Sequence, residues 1–269
     1  MDAHVVQLDR DHPGFRDLDY RRRRDAIAHL AQVHRAGEPP PLVDYTEGEH
    51  GVWRTALKAL APLHERYASP LYREGWQAVR LPDDRVPQLR EIGARLGALH
   101  GFGYQPAAGL VTPRFFMENL AERWFISTQY MRHESMPLYT PEPDVIHELV
   151  GHAPLLATAQ HVEVNMLFGR ATKASDDAVV EGLIRLYWYG LEFGLSRDGG
   201  QLRAVGAGLL SSFGELGRFE RESKLVPFDV ETVKRTAFDP TQYQSTLFVA
   251  ESEQALLETL RRALEPLAR

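Results

Sequence analysis

Apolar side chains recur every three or four residues through most of the chain, which is the pattern of amphipathic helices. Glycine and proline interrupt the pattern at Gly37, at prolines 39–41 and at Gly101, where helices are expected to end. The most strongly apolar helix begins near Val179. Helices are predicted over residues 17–36, 49–67, 86–100, 113–123, 178–195 and 253–267, with a further short helix from about residue 229.

A few short strands are predicted between these helices. They cover residues 201–205, 224–228 and 246–249, and the aromatic, polar segment 127–134 has room for one or two more. The Gly-rich segment 206–216 is predicted to enter a helix, and the chain shows no internal repeat or interdomain linker. The sequence therefore predicts a single domain over residues 1–269, mainly α with a few short β-strands, after a loose start over about residues 1–11.

Composition narrows the class of protein. Apolar residues at 43% and charged residues at 25% are ordinary globular values. A net charge of −6 argues against nucleic acid or an anionic membrane as the partner, and no apolar run is long enough to predict a membrane span. The absence of cysteine and of a signal-peptide core fits a cytoplasmic protein. Any metal must therefore be held by His, Asp or Glu.

The segment 141–156, PEPDVIHELVGHAPLL, contains the strongest chemical signal. His147 and His152 are five residues apart, so on a regular α-helix they would point about 140° away from each other. The metalloprotease spacing is therefore excluded. Both can bind one metal only if the helix tightens or ends, and Gly151 followed by Pro154 predicts a helix that stops at Gly151. The alternative is two ordinary histidines in a buried helix.

A third ligand must be a carboxylate, and Glu192 is the best candidate. Counting back by fours gives Trp188 and Ile184, so Glu192 lies on an apolar stripe, where a carboxylate is costly unless it meets a cation. An arginine partner or a solvated stripe edge would also explain it. Glu148 is the rival ligand, but it points about 100° away from His147. Two histidines and a carboxylate are typical of non-haem Fe(II) oxygen-using enzymes, although zinc hydrolases use the same set.

Two weaker features bear on a substrate. Arg132 and His133 could clamp a carboxylate, since guanidinium binds it bidentately, but a surface arginine is the alternative. Aromatic residues are frequent in the central segments, where they form either plain core or a pocket for flat rings. These residues are Phe115, Phe116, Trp124, Tyr187, Trp188 and Tyr189.

Taken together, the motifs resemble those of the tetrahydropterin-dependent aromatic amino acid hydroxylases. They follow one another in order along nearly the whole chain. The matching segments are 12–15 (HPGF), 20–24 (YRRRR), 128–133 (TQYMRH), 139–144 (YTPEPD), 147–152 (HELVGH), 192–195 (EFGL), 206–216 (GAGLLSSFGEL) and 248–252 (FVAES). The resemblance implies a single basket-like catalytic domain, mainly helical with a small sheet, that holds one Fe(II).

The resemblance also implies a role for each matching residue. The implied iron ligands are His147, His152 and Glu192. The implied substrate residues are Arg132 for the carboxylate, Thr140, Asp144 and Ser211 beside it, Glu215 bracing that wall, and Trp188 against the ring. Asp144 would also pair with Arg132. The implied pterin residues are Phe116, stacked on the ring, with Gly109, Leu110, Val111, Glu148 and Tyr187 around it.

The activity implied by the resemblance is ring hydroxylation of an aromatic amino acid with Fe(II), a reduced pterin and O2. L-phenylalanine to L-tyrosine is favoured because Trp188 resembles the phenylalanine and tyrosine enzymes. Tryptophan 5-hydroxylation, or hydroxylation of phenylalanine at another ring position, is the first alternative. A zinc hydrolase and a non-catalytic amino acid binding protein are more remote.

The sequence departs from the family pattern in two respects. Residues 124–127 read WFIS where the family usually has VFHC, which alters a residue near the pterin. No segment matches the regulatory domain or the tetramerisation helix, so a monomer or weak dimer is expected.

Overall fold

The computed structural model describes residues 8–269, so residues 1–7 of the predicted loose start lie outside the described part. Helices dominate it, as predicted. They are α1 (Leu18–Val33), α2 (Glu47–Tyr67), α3 (Pro70–Val79), α4 (Leu89–His100), α5 (Pro113–Leu120), α6 (Ala153–Leu156), α7 (Ala159–Ala174), α8 (Asp177–Tyr187), α9 (Ala207–Ser211), α10 (Phe213–Leu216), α11 (Phe219–Glu222), α12 (Val230–Arg235) and α13 (Glu253–Leu264). Two further segments, His147–His152 and Trp188–Glu192, are π-helical.

The helices begin where side chains can satisfy their free N–H groups. Thr46 and Glu49 form a reciprocal capping box at the start of α2. Ser69 caps α3, and Pro70 follows it at the first helical position, where a missing N–H does no harm. The Ser-Pro pair is a signal for the start of a helix, but the apolar periodicity predicted neither α3 nor α7.

The strands form two small sheets. β1 (Gly103–Pro106) and β2 (Trp124–Ser127) pair in parallel, with Gly103 opposite Trp124. The larger sheet has the order β4-β3-β6-β5, formed by β3 (Leu195–Asp198), β4 (Gln201–Ala204), β5 (Lys224–Pro227) and β6 (Thr246–Ala250). β3 and β4 form a hairpin through Gly199 and Gly200, whose φ angles of 56° and 82° only glycine adopts readily. The predicted strands over 201–205, 224–228 and 246–249 are confirmed.

Two predictions of local structure are wrong. The helix predicted over 178–195 ends at Glu192, because its last turn widens into the π-helical form and Leu195 already begins β3. The prediction of one or two strands over 127–134 is wrong beyond Ser127, which ends β2, since several backbone groups of the segment bond to side chains instead of a neighbouring strand. The Gln129 carbonyl accepts from the Tyr45 hydroxyl, and the Arg132 N–H donates to the Asp144 carboxylate.

The core surrounds the two π-helical segments and so holds them in place. α7 packs against α5 and α13, α8 packs against α12, and α9 packs against the first π-helical segment. Large side chains such as Trp53, Tyr72, Phe168 and Phe248 are almost fully buried. Among residues 8–269, no helix is long and apolar enough to cross a bilayer.

Candidate metal and substrate site

One cavity of about 570 Å³ collects nearly all the residues singled out in the sequence. Its lining is mixed, with aromatic walls and a few converging charged groups, as in many small-molecule sites. It includes His147, His152, Glu192, Arg132, Thr140, Trp188, Ser211, Glu215, Gly109, Leu110, Val111, Phe116, Glu148 and Tyr187. Asp144 is fully buried and does not line the cavity, and neither do the other residues singled out, which are His133, Phe115, Trp124 and Tyr189.

His147 and His152 lie at the two ends of the first π-helical segment, His147–His152. The prediction that the helix stops at Gly151 is wrong, since the chain continues into α6. The helix widens instead, and the Ala153 N–H donates to Glu148 O, five residues back. In this form residues five apart stand one above the other, which brings the two imidazole Nε2 atoms to 3.0 Å. The i, i+5 spacing was thus the correct signal.

Gly151 has a different function from the one predicted. A Cβ there would lie 2.6 Å from the carbonyl oxygen of Ala207, at the start of α9. The missing side chain therefore lets α9 approach the π-helical segment. This approach brings Ser211 Oγ within 3.0 Å of His147 Nδ1.

Ser211 determines which nitrogen of His147 faces the cavity. Its hydroxyl donates to Ala207 O at 2.8 Å, so toward His147 it can only accept a hydrogen from Nδ1–H. Nε2 then carries the free lone pair. Burial and then the adjacent His152 lower the pKa of His147 to about 4, so its ring is neutral at physiological pH.

Glu192 ends the second π-helical segment, Trp188–Glu192, and faces both histidines. Its carboxylate oxygens lie 3.1 Å from His152 Nε2 and 3.8 Å from His147 Nε2. Burial opposes ionisation, but the two imidazoles and the N–H of Gly208 outweigh it and hold the pKa of Glu192 below its usual range. Burial alone would lower the pKa of His152, but the adjacent Glu192 carboxylate has the larger effect, so the pKa is raised above its usual value.

The three side chains have the spacing that a small divalent metal requires. Ligand atoms about 2.1 Å from a metal, at right angles to each other, lie about 3 Å apart. The two Nε2 atoms, 3.0 Å apart, and Glu192 Oε1, 3.1 Å from His152 Nε2, match this spacing, whereas Glu192 Oε2 lies farther away, 3.8 Å from His147 Nε2. Two imidazole nitrogens and one carboxylate also match the donor set of non-haem Fe(II) sites. The residues present therefore fit an iron ion.

Glu148 is the second carboxylate near the histidines, within 4.8 Å of the ligand atoms of His147 and His152. Its Oε1 atom is already occupied, because it accepts hydrogen bonds of 3.2 Å from the N–H and the hydroxyl of Thr128. Burial raises its pKa to about 7. Glu192, which contacts both histidines and stays ionised, is the better third ligand.

Arg132 and Asp144 form a buried, bidentate ion pair. Nε and one terminal nitrogen of Arg132 each lie 2.8 Å from a different oxygen of Asp144. Asp144 also accepts from the backbone N–H of His147 at 3.3 Å, which ties the pair to the first π-helical segment. Three N–H donors of the guanidinium remain unused by Asp144, and Arg132 reaches the cavity. The surface-arginine alternative is therefore excluded.

Trp188 belongs to an aromatic wall that the sequence only partly indicated. Its ring is stacked on Phe238 at 4.2 Å and 13°, and its indole N–H donates to Gln244 at 3.1 Å. The backbone N–H of Gln244 donates to the Glu215 carboxylate at 2.6 Å, so Glu215 supports Trp188 through Gln244. Gln244 was not predicted, and no local sequence signal distinguishes it.

Phe116 also lines the cavity, among other aromatic rings. It meets Phe125 and Tyr187 edge-on, at 5.1 and 5.6 Å. The Tyr187 hydroxyl donates to Asn165. Leu110 is 71% exposed at the rim, so the loop that contains it can contact a ligand without rearrangement of the core.

A mainly helical domain in which two histidines and a carboxylate face one aromatic-lined cavity has the donor set of mononuclear non-haem iron sites. The chain matches the family described as biopterin-dependent aromatic amino acid hydroxylase over residues 2–269, and it belongs to that family. The resemblance drawn from the sequence motifs is thereby confirmed.

Similar proteins include a chloroplastic phenylalanine 4-monooxygenase of Physcomitrium patens, 44% identical over 78% of this chain and 54% of the relative. A tyrosine 3-monooxygenase of Drosophila melanogaster is 38% identical over 100% of this chain and 47% of its own length. The phenylalanine hydroxylase of Chromobacterium violaceum, solved with iron(III) and 7,8-dihydrobiopterin, has a TM-score of 0.78 at 31% identity, over 89% of this chain and 91% of that one. The chain thus spans about half the length of the curated relatives.

Proposed function

We propose that this protein is an iron- and pterin-dependent monooxygenase that converts L-phenylalanine to L-tyrosine. The observation that carries the proposal is the convergence of His147, His152 and Glu192 in a cavity that also contains an arginine clamp and aromatic walls. The names of several relatives support phenylalanine as the substrate. The expected monomer or weak dimer and the cytoplasmic location stay predictions.

His147, His152 and Glu192 would hold the iron through Nε2, Nε2 and a carboxylate oxygen. When bound, iron and the reduced pterin together supply the activation of O2, which no amino acid side chain can perform. The protein itself would bind and orient the iron, the pterin and the substrate, and would exclude water from them. Ser211 keeps the Nε2 lone pair of His147 directed at the metal position, as the hydrogen bond to Nδ1 requires.

Arg132 would bind the carboxylate of the amino acid with the N–H groups that Asp144 leaves free. Asp144 orients the guanidinium and balances its charge without reaching the cavity itself. Thr140 and Ser211 line the same cavity and would complete this part of the site. A substrate anchored at its carboxylate has a fixed distance from ring to metal, which determines the carbon that reacts.

The substrate ring would pack against Trp188, whose orientation is fixed by Phe238 and Gln244. Glu215 supports this wall through its bond to Gln244. The pterin would stack on Phe116, with Gly109, Leu110, Val111, Glu148 and Tyr187 around it. Glu148 lines the cavity, and burial raises its pKa to about 7. Its carboxyl group could therefore accept a hydrogen bond from a heterocycle or donate one to it.

The test is an assay of the purified protein, stripped of metal and then supplied with Fe(II), tetrahydropterin and O2. Phenylalanine, tyrosine and tryptophan are compared, and the hydroxylated carbon is identified by mass spectrometry and NMR. We expect tyrosine from phenylalanine, with a dependence on both iron and pterin. Tyrosine formed without either would contradict the proposal. Zinc-dependent amide hydrolysis without O2 uptake would favour the hydrolase instead.

A further inference from the structure

The widened helix around the histidines leaves backbone carbonyls without helical donors. The Ala153 N–H bonds to Glu148 O, and the Ala157 N–H bonds to Ala153 O. Between these bonds lie four carbonyls, residues 149–152, and three backbone nitrogens, residues 154–156. Pro154 has no N–H. At least two of the carbonyls therefore need a donor from elsewhere.

Tyr72 supplies one of these donors from a different helix. Its hydroxyl donates to Val150 O at 2.8 Å, in the middle of the π-helical segment. The side chain is 1% exposed, so no solvent molecule could replace the bond without a cavity. Val150 lies between His147 and His152, and a change in its carbonyl direction rotates the peptide units that position His152.

α3, the helix of Tyr72, is itself held firmly against the histidine segment. A Cβ at Gly75 would lie 1.7 Å from Pro154 O, so the backbones of α3 and α6 are in direct contact. At its N-terminus the Glu253 carboxylate accepts from the Ser69 hydroxyl at 2.7 Å and from the Leu71 N–H at 3.1 Å. The Tyr72 hydroxyl is thus a fixed donor and not a mobile surface group.

We propose that Tyr72 is a positioning residue for the metal site, because its hydroxyl replaces the helical donor that Pro154 lacks and fixes the turn that carries His152. This inference rests on the proposed function to the extent that the two histidines bind the iron. Tyr72 does not line the cavity, so its effect on the metal passes through the backbone of Val150.

The experiment replaces the hydroxyl alone, in Tyr72→Phe, and measures Co(II) affinity by titration calorimetry and amide exchange of the peptide over residues 147–157. We expect the affinity to fall about 10-fold, as for other partners that orient a metal ligand, with faster exchange in that peptide. Both readouts are independent of hydroxylation. A wild-type protein that binds Co(II) but does not hydroxylate phenylalanine would defeat the proposed function and leave this inference intact.

Tyr45→Phe is the matched control, because Tyr45 also donates from a buried hydroxyl to a backbone carbonyl, that of Gln129, at 2.7 Å. Its Co(II) affinity should stay within about twofold of the wild type. An equal loss in both variants would overturn the inference, since it would reflect general loosening of the fold. Unchanged affinity and exchange in Tyr72→Phe would overturn it as well.

A second substitution tests the link to Pro154. In Pro154→Ala a backbone N–H returns to the segment and can serve a carbonyl that lacks a donor. The loss of affinity caused by Tyr72→Phe should therefore be at least threefold smaller in the Pro154→Ala background than in the wild type. Equal losses in the two backgrounds would contradict the proposed relation between Tyr72 and Pro154.

Discussion

At the scale of single residues, four buried carboxyl groups near the cavity differ because their partners differ. Asp144 and Glu192 meet cationic or imidazole groups, which keep their pKa values low against the effect of burial. For Glu148 and Glu215 the effect of burial outweighs the weaker pull of His152 and Arg218, and burial raises the pKa of each to about 7. Residue identity alone could not separate these two groups, because all four are acidic residues in similar motifs.

Glu215 leads to a prediction about stability and pH. Folding raises its pKa from 4.5 to about 7, so the folded state favours the protonated form. The contribution of the protonated Glu215 to the free energy of unfolding is complete below pH 4.5 and is lost as the pH rises to about 7. We therefore expect the wild type to lose stability relative to Glu215→Gln between about pH 4.5 and 7, on the order of 3 kcal/mol. Urea denaturation at several pH values measures this difference.

The control for this prediction is Glu163→Gln, at an exposed position of α7. It should keep a constant difference from the wild type over the same pH range. A pH-independent difference for Glu215→Gln would show that the Glu215 carboxyl is not desolvated in the folded protein.

At the scale of elements, both segments that hold the candidate ligands are π-helical rather than α-helical. The i, i+5 spacing of the histidines indicated an irregular helix, but an early end at Gly151 and a widened turn satisfy the same spacing. Sequence periodicity cannot choose between them, because the choice depends on donors and close contacts from α3 and α9. Counting by fours placed Glu192 on the buried face that meets the histidines, although the last turn departs from that period.

Gly151 provides the prediction at this scale. In Gly151→Ala the new Cβ must displace the backbone of Ala207, and with it Ser211 and its bond to His147. We expect a loss of about 1–3 kcal/mol in unfolding free energy, from overpacking, together with weaker Co(II) binding. Chemical denaturation and calorimetry measure the two effects separately.

Gly182→Ala is the corresponding control in α8. Its Cβ would meet only the flexible side chain of Lys234, at 3.5 Å, and alanine favours the helix. Stability should therefore be unchanged or higher, with normal Co(II) affinity. Equal behaviour of the two variants would contradict the argument from the close approach of α9.

At the scale of the whole molecule, the site joins segments that are far apart in the sequence. The candidate ligands come from two helices, Ser211 comes from α9, and the Trp188 wall is completed by residues near 240. A metal that binds these groups therefore stabilises the folded state as a unit, because the unfolded chain cannot hold the three ligand atoms together.

This linkage predicts thermal stabilisation by metal. At a free Fe(II) or Co(II) concentration about 100 times Kd, the stabilisation is about 2.7 kcal/mol, which corresponds to a rise in Tm of roughly 5–10 °C. Glu192→Ala should remain folded and lose this rise, whereas the exposed Glu163→Ala should retain it. Scanning fluorimetry with and without metal, under nitrogen, measures both. A normal rise in Glu192→Ala would exclude Glu192 as the third ligand.

The helical class, three of the strands and the motifs of the family could be predicted from the sequence, because they depend on local periodicity and on residue identity. The widening of both helices that carry the candidate ligands, the position of Glu192 beside the two histidines, and the contacts of Tyr72, Ser211 and Gln244 depend on the tertiary structure. Each of these features depends on a hydrogen-bond donor or a backbone segment that is distant in the sequence and close in the fold. Such long-range contacts cannot be predicted from the local pattern of apolar and polar residues.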